Sequence, residues 1–190
     1  LKILNYCDKE NYIKLFDDTS LLEPVKDVKE KVIINYMDKI DELNLPFYSP
    51  EKLMIFVGNI VEMIDNFYIS LQLKIGLEKM GYRVEMISNE NDGKFFDCLK
   101  YPKEFMDIKV PPENQIWALN RFIQAVENKL NPDIIIMDLP KGLIRYDRYY
   151  DNSFGIYGFM IGQSVRPDYF ILNVPYDSID QEYFSNLSNY

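Results

Sequence analysis

The chain has no histidine among its 190 residues. That absence excludes a Ser-His-Asp triad, a Cys-His pair, an imidazole general base and any histidine-ligated metal. Two cysteines, Cys7 and Cys98, are too few for a disulfide framework or a cysteine zinc site. Basic residues are also scarce: 21 Lys and Arg stand against 30 Asp and Glu, a net charge of -9. A general nucleic-acid binder carries a basic stripe, so no nucleic-acid partner is expected. No apolar run approaches the roughly 18 residues of a membrane span, and no signal-peptide pattern opens the chain. A cytoplasmic protein with no membrane partner and no cofactor is the expectation. The first residue, Leu1, is not methionine, and helix-start composition from Asp180 runs to Tyr190 without a cap, the pattern of a piece of a longer protein.

What remains is globular composition, 47% hydrophobic and 27% charged, which is enough for one buried core. Residues 2–7 suit a short strand. Residues 24–43 form a helical pattern, with Val25, Val28, Val32, Tyr36, Ile40 and Leu43 on one stripe. Leu45 to Pro50 breaks the pattern and reads as a linker. These signals divide the chain into an N-terminal helical segment, 1–49, and an α/β domain, 50–190.

The second part alternates strands with helices. Leu53 to Val57 is a continuous apolar run, the mark of a strand buried on both faces. A helix is predicted over 66–80, with Asp65 as N-cap and Gly81 as stop. A strand over 82–88 and an irregular stretch over 89–110 follow. Pro111 and Pro112 open a helix with Ile116, Leu119, Ile123, Val126 and Leu130 on one face. Residues 133–138 are a further buried strand, 152–165 a helix, and 168–174 a fourth strand. This order predicts a three-layer α/β fold with a mostly parallel sheet, Rossmann-like or P-loop-like. Ligands in such sheets bind beyond the carboxyl ends of the strands, which directs attention to loops 58–66, 139–152 and 175–180.

Loop 58–66 has the strand, glycine and helix order of a phosphate-binding turn. A P-loop needs glycine, lysine and Ser or Thr at 63, 64 and 65, where this chain has Met63, Ile64 and Asp65. Phosphate would meet two carboxylates, Glu62 and Asp65, and no lysine, so a plain βα turn with an Asp cap is the competing account. Asp138 ends an apolar strand, as magnesium-holding aspartates do in P-loop enzymes, and also as turn-forming aspartates do. Glu62, Asp65 and Asp138 are together a candidate site for a hard cation. Loop 139–152 packs Lys141, Arg145, Arg148 and Tyr150 at the functional end of the sheet. Those types suit capture of a peptide or an acidic ligand, or else a solvated loop paired to the chain's many acids. The close spacing of Gly155, Gly158 and Gly162 predicts a tight backbone approach by the following helix. Cys98 has no partner motif and suits a buried, idle thiol.

Several stretches together resemble a known family. One block is Leu53–Gly58, Asn66-Phe67, Leu71-Gln72-Leu73, Gly81-Tyr82-Arg83-Val84 and Ile87-Ser88. A second is Asn131-Pro132-Asp133, Pro140-Lys141-Gly142 and Asn152 to Ile156. Gln163 to Asp168 and Glu182-Tyr183-Phe184 complete the set. Over roughly residues 50–188 these resemble the C-terminal half of peptide maturation system proteins, accessories of clostridial-type gene clusters for ribosomally made, modified peptides, often beside radical-SAM enzymes. The resemblance implies a non-catalytic role, with a precursor peptide or a radical-SAM-type modifying enzyme as partner; a homodimer is compatible with it. It supplies no catalytic residue. Related members carry a lysine near position 66, and Asn66 departs from them in the direction of weaker phosphate binding. The alternatives from the residues alone are a magnesium-nucleotide enzyme of degenerate P-loop type and a small-molecule-binding module.

Overall fold

Four short, mostly apolar segments lie side by side, the two in the centre hydrophobic on both faces and covered on both. In the computed structural model, which describes residues 23–42, 46–62, 65–144 and 153–174, with side chains in the first segment from 28 to 39 only, they are β1 (Leu53–Asn59), β2 (Val84–Ile87), β3 (Ile134–Gly142) and β4 (Tyr169–Asn173). The sheet order is β2-β3-β1-β4 and every pairing is parallel. The helices are α1 (Glu23–Glu42), α2 (Asn66–Lys79), α3 (Lys103–Met106), α4 (Pro112–Leu130) and α5 (Ile156–Ser164). The strand expected at 2–7, loop 175–180, and Arg145, Arg148 and Tyr150 lie outside the described residues.

The period-two alternation of the strands sorts their side chains between two cores. Met54, Phe56, Ile135 and Met137 face a layer that includes Ile33 of α1, Leu119, Ile123 and Val126 of α4, and Met160 and Ile161 of α5. Ile55, Val57, Ile134 and Ile136 face the other way, under Phe67, Ile69, Leu73 and Leu77 of α2. The predicted three-layer α/β fold is what forms: α1, α4 and α5 on one side of the sheet, and α2 on the other.

Local signals set most boundaries. The Asp65 carboxylate accepts from the Tyr68 amide at 3.1 Å and starts α2, and Gly81, at φ 96°, takes the left-handed turn just past its end. Two expectations are corrected. The 139–152 loop begins as strand, because β3 continues through Leu139–Gly142 and Asn59 pairs with Gly142 after a register shift. The α1 stripe is also rotated. Ile33 is buried, with Tyr36 and Met37 packed beside it, while Val28 and Val32 are exposed. The Lys29 ammonium holds this rotation by bonding Glu85 Oε1 at 3.1 Å and Asp97 Oδ2 at 2.7 Å.

The 46–50 segment is docked along α4. Asn120 accepts from the Tyr48 amide at 2.9 Å and donates to the Tyr48 carbonyl at 2.8 Å, and Phe47 meets Trp117 edge-on at 4.9 Å.

Candidate functional site

The connections define where a ligand would sit. From β1 the chain leaves through α2 toward β2 at one side of the sheet. From β3 it leaves over the opposite face, through α5, toward β4 at the other side. β1 and β3 are neighbours whose exits diverge, so the crevice beyond their carboxyl ends is the topological switch point of the sheet. A cavity of about 300 Å³ occupies that position. Asn59, Glu62, Asp65, Asn66, Asp138 and Lys141 contribute its polar lining, and Phe67, Met106 and Tyr157 its apolar wall.

Beneath the crevice a polar chain crosses the carboxyl end of the sheet. Ser88 follows β2, Asp138 lies on β3, Asn66 opens α2 directly after the β1 turn, and Asn59 and Asn173 end β1 and β4. The Ser88 hydroxyl donates to Asp138 Oδ2 at 2.5 Å. Asn66 Nδ2 donates to Asp138 Oδ1 and to the Val57 carbonyl, both at 2.6 Å. Asn173 Nδ2 donates to Asn66 Oδ1 at 2.7 Å and to Asn59 Oδ1 at 3.0 Å. Ser88 Oγ in turn accepts from the Glu90 amide at 3.1 Å. Every member described as buried is thereby hydrogen-bonded, as burial requires.

Asp138 is only 5% exposed. Burial pushes its carboxyl up to about 7, and the charges of Glu90 and Asp65 add to the effect, while the bonds from Ser88 and Asn66 oppose it. The Tyr101 hydroxyl donates to the Asp138 carbonyl at 3.0 Å from below, and burial holds that phenol well above its ordinary range.

The structure brings some expected residues together and separates others. Glu62, Asp65 and Asp138 line one crevice but do not converge: Asp138 is bonded to Ser88 and Asn66, Asp65 caps α2, and Glu62 pairs with Lys141. Among the described residues no group of three carboxylates, cysteines or histidines is placed to hold a metal. Lys141 sits on β3 at the crevice rim, at a left-handed φ of 66°. Of the three close-set glycines, Gly155 and Gly158 make the expected close approach, to Leu143, whereas Gly162 faces open space. Cys98 is buried, its thiol 3.7 Å from the Phe96 carbonyl.

Sequence reasoning missed Asn59, Ser88 and Asn173 as site residues. A polar residue closing each apolar strand is the signal that pointed to them. A second groove of about 880 Å³ lies between α1 and α4, with Ile34, Met37, Trp117 and Phe122 in its lining. Among the described residues no helix is long and apolar enough to cross a membrane.

No protein-family model, curated protein or solved structure matches the chain.

Proposed function

We propose that this chain is a non-catalytic binding module, an accessory in the maturation of a ribosomally made peptide, and that its ligand seat is the crevice between the ends of β1 and β3. The observation that carries this reading is the lining of that crevice. It lies where open α/β sheets take ligands, yet its turn presents Glu62 and Asp65 rather than the glycine and lysine of a phosphate cradle. Amide side chains and carboxylates face the cavity beside the Phe67 and Tyr157 rings, a combination suited to the backbone and side chains of a peptide. The resemblance over residues 50–188 supplies the biological setting, with the precursor peptide as first partner and a radical-SAM-type enzyme as the other.

A second reading, a degenerate P-loop nucleotide enzyme, has one observation in its favour. Asp138 lies on the strand next to β1, facing the β1 turn, near the position from which such enzymes hold magnesium. Against it stand the partners of Asp138, which are Ser88 and Asn66, and the acidic turn. Fluorescence anisotropy of a labelled precursor peptide, encoded beside the gene, tests the first reading: saturable binding is expected, and none at high protein concentration contradicts it. Thermal melting with magnesium-ATP tests the second, since a tight nucleotide at concentrations well above its dissociation constant raises the melting temperature.

A further inference from the structure

Asp138 poses a hydrogen-bonding problem that its surroundings solve in only one way. The side chain lies on the α2 side of the sheet, almost wholly out of solvent. Both of its side-chain partners among the described residues, the Ser88 hydroxyl and the Asn66 amide, donate to it, which suits a carboxylate. No cation faces it. From beyond β2 comes Glu90, from the α2 cap Asp65, and from below the neutral Tyr101 phenol; at the crevice rim Lys141 is joined to Glu62, and Tyr157 of α5 completes the wall. Burial among like charges favours the neutral acid. A neutral acid needs an acceptor for its proton. Asn66 Nδ2 is a donor only, so the rotatable Ser88 hydroxyl is the group that can turn from donor to acceptor.

We propose that Ser88, Asp138, Asn66 and Asn173 form a proton-operated relay beneath the crevice: uptake of one solvent proton at Asp138 Oδ2 reverses the Ser88 hydrogen bond and weakens the hold of Oδ1 on the Asn66 amide. In the ionised state Ser88 donates and Asn66 is pulled toward β3. In the protonated state Asp138 donates to Ser88 Oγ, the serine hydrogen turns to another acceptor, and Oδ1 is a weaker acceptor for Asn66. Asn66 passes the change to Asn173, whose amide it accepts from at 2.7 Å. Because Asn66 and Asp138 line the cavity, the proton state sets the charge and the donor pattern that a ligand meets. The functional consequence rests on the crevice being the ligand seat; the relay itself does not.

The carboxyl is poised for this at about 7. Carbon-detected NMR of the full, ligand-free chain tests the relay, with the Asp138 carboxyl carbon and the side-chain amides of Asn66 and Asn173 followed from pH 5 to 9. The expected result is one shared midpoint near neutrality for all three, with both amide shifts abolished in Asp138→Asn. Ser88→Ala removes the donor to the carboxylate and the acceptor of the acid's proton; since the bond to the charged form is the stronger, the midpoint should move upward. The relay is overturned if Asp138 titrates in the ordinary carboxylate range, if the amides keep still while it titrates, or if Ser88→Ala leaves the midpoint in place. Since no ligand is used, failure here is distinct from failure of the peptide-binding reading.

Discussion

Asn66 donates to Asp138 across 72 residues of sequence at 2.6 Å, and this bond joins the first turn of α2 to the middle of β3. The same amide group also holds the Val57 carbonyl, while its oxygen accepts from Asn173. One side chain therefore fastens β1, β3 and β4 to one another. Asn66→Ala should cost about 2–3 kcal/mol in stability, because it leaves several buried polar groups without partners. Chemical denaturation at pH 7 checks this, and a loss below about 0.5 kcal/mol would mean that water replaces the asparagine at no cost.

The raised Asp138 carboxyl has a defined consequence for stability against pH. Its folded value, about 7, lies above the unfolded value near 4, so the folded state holds the proton more tightly. This group's contribution is greatest below about pH 4, is lost as pH rises through about 7, and is constant above that. The difference corresponds to about 4 kcal/mol at most. Asp138→Asn, which carries the donor and acceptor of the neutral acid, should flatten the profile between pH 5 and 8 and raise the melting temperature at pH 8. Asp133 acts in the opposite sense. Hydrogen bonds from Arg83 hold it at about 2, so its contribution is present above about pH 4 and is lost on acidification. Urea denaturation at closely spaced pH values separates the two.

Gly155, at the N-cap of α5, and Gly162 within the helix should respond oppositely to alanine. Gly155 has a left-handed φ of 68° and a Cβ there meets the Leu143 carbonyl oxygen at 2.5 Å, so backbone strain and overlap should destabilise Gly155→Ala by about 1–3 kcal/mol. At Gly162 a Cβ meets nothing within 4 Å, so the helical preference for alanine should make Gly162→Ala neutral to stabilising by up to about 1 kcal/mol. Paired thermal melts read the sign of each change.

Ile135 sits at 0% exposure as the second residue of β3, beneath the α1, α4 and α5 layer. Ile135→Asp places a carboxylate there without a partner, and a loss of more than about 4 kcal/mol is expected. Circular dichroism should show no cooperative melt.

Much of this fold was legible in the sequence. The runs at 53–57 and 134–137 read as buried strands because they are apolar at every position, and that is how the sheet uses them. Asp65 and Gly81 bounded α2 through local chemistry. Other features depend on distant partners. The Pro140-Lys141-Gly142 stretch reads as loop, yet it extends β3 because Asn59 reaches Gly142 past an irregularity in β1. The stripe through Val28 and Val32 reads as the buried face of α1, but Lys29 bonds residues 56 and 68 positions away and turns Ile33 inward instead. For the crevice, the carboxylates Glu62, Asp65 and Asp138 were visible as types at strand ends. Their separate commitments to Lys141, the α2 cap and Asn66 were not, since no spacing rule encodes contacts between strands that are neighbours only in the folded sheet.

The central claim is that the crevice between β1 and β3 seats the precursor peptide. The exposed Glu62–Lys141 pair at its rim permits a test that leaves the core alone. Anisotropy titrations of a labelled precursor peptide should compare the parent with Glu62→Lys, Lys141→Glu and the double exchange, each checked for an unchanged melting temperature. The account predicts that each single reversal changes affinity at least about tenfold, about 1.4 kcal/mol, and that the double exchange, which restores the pair, recovers part of it. Equal affinity across all four proteins would place the peptide elsewhere and contradict the account.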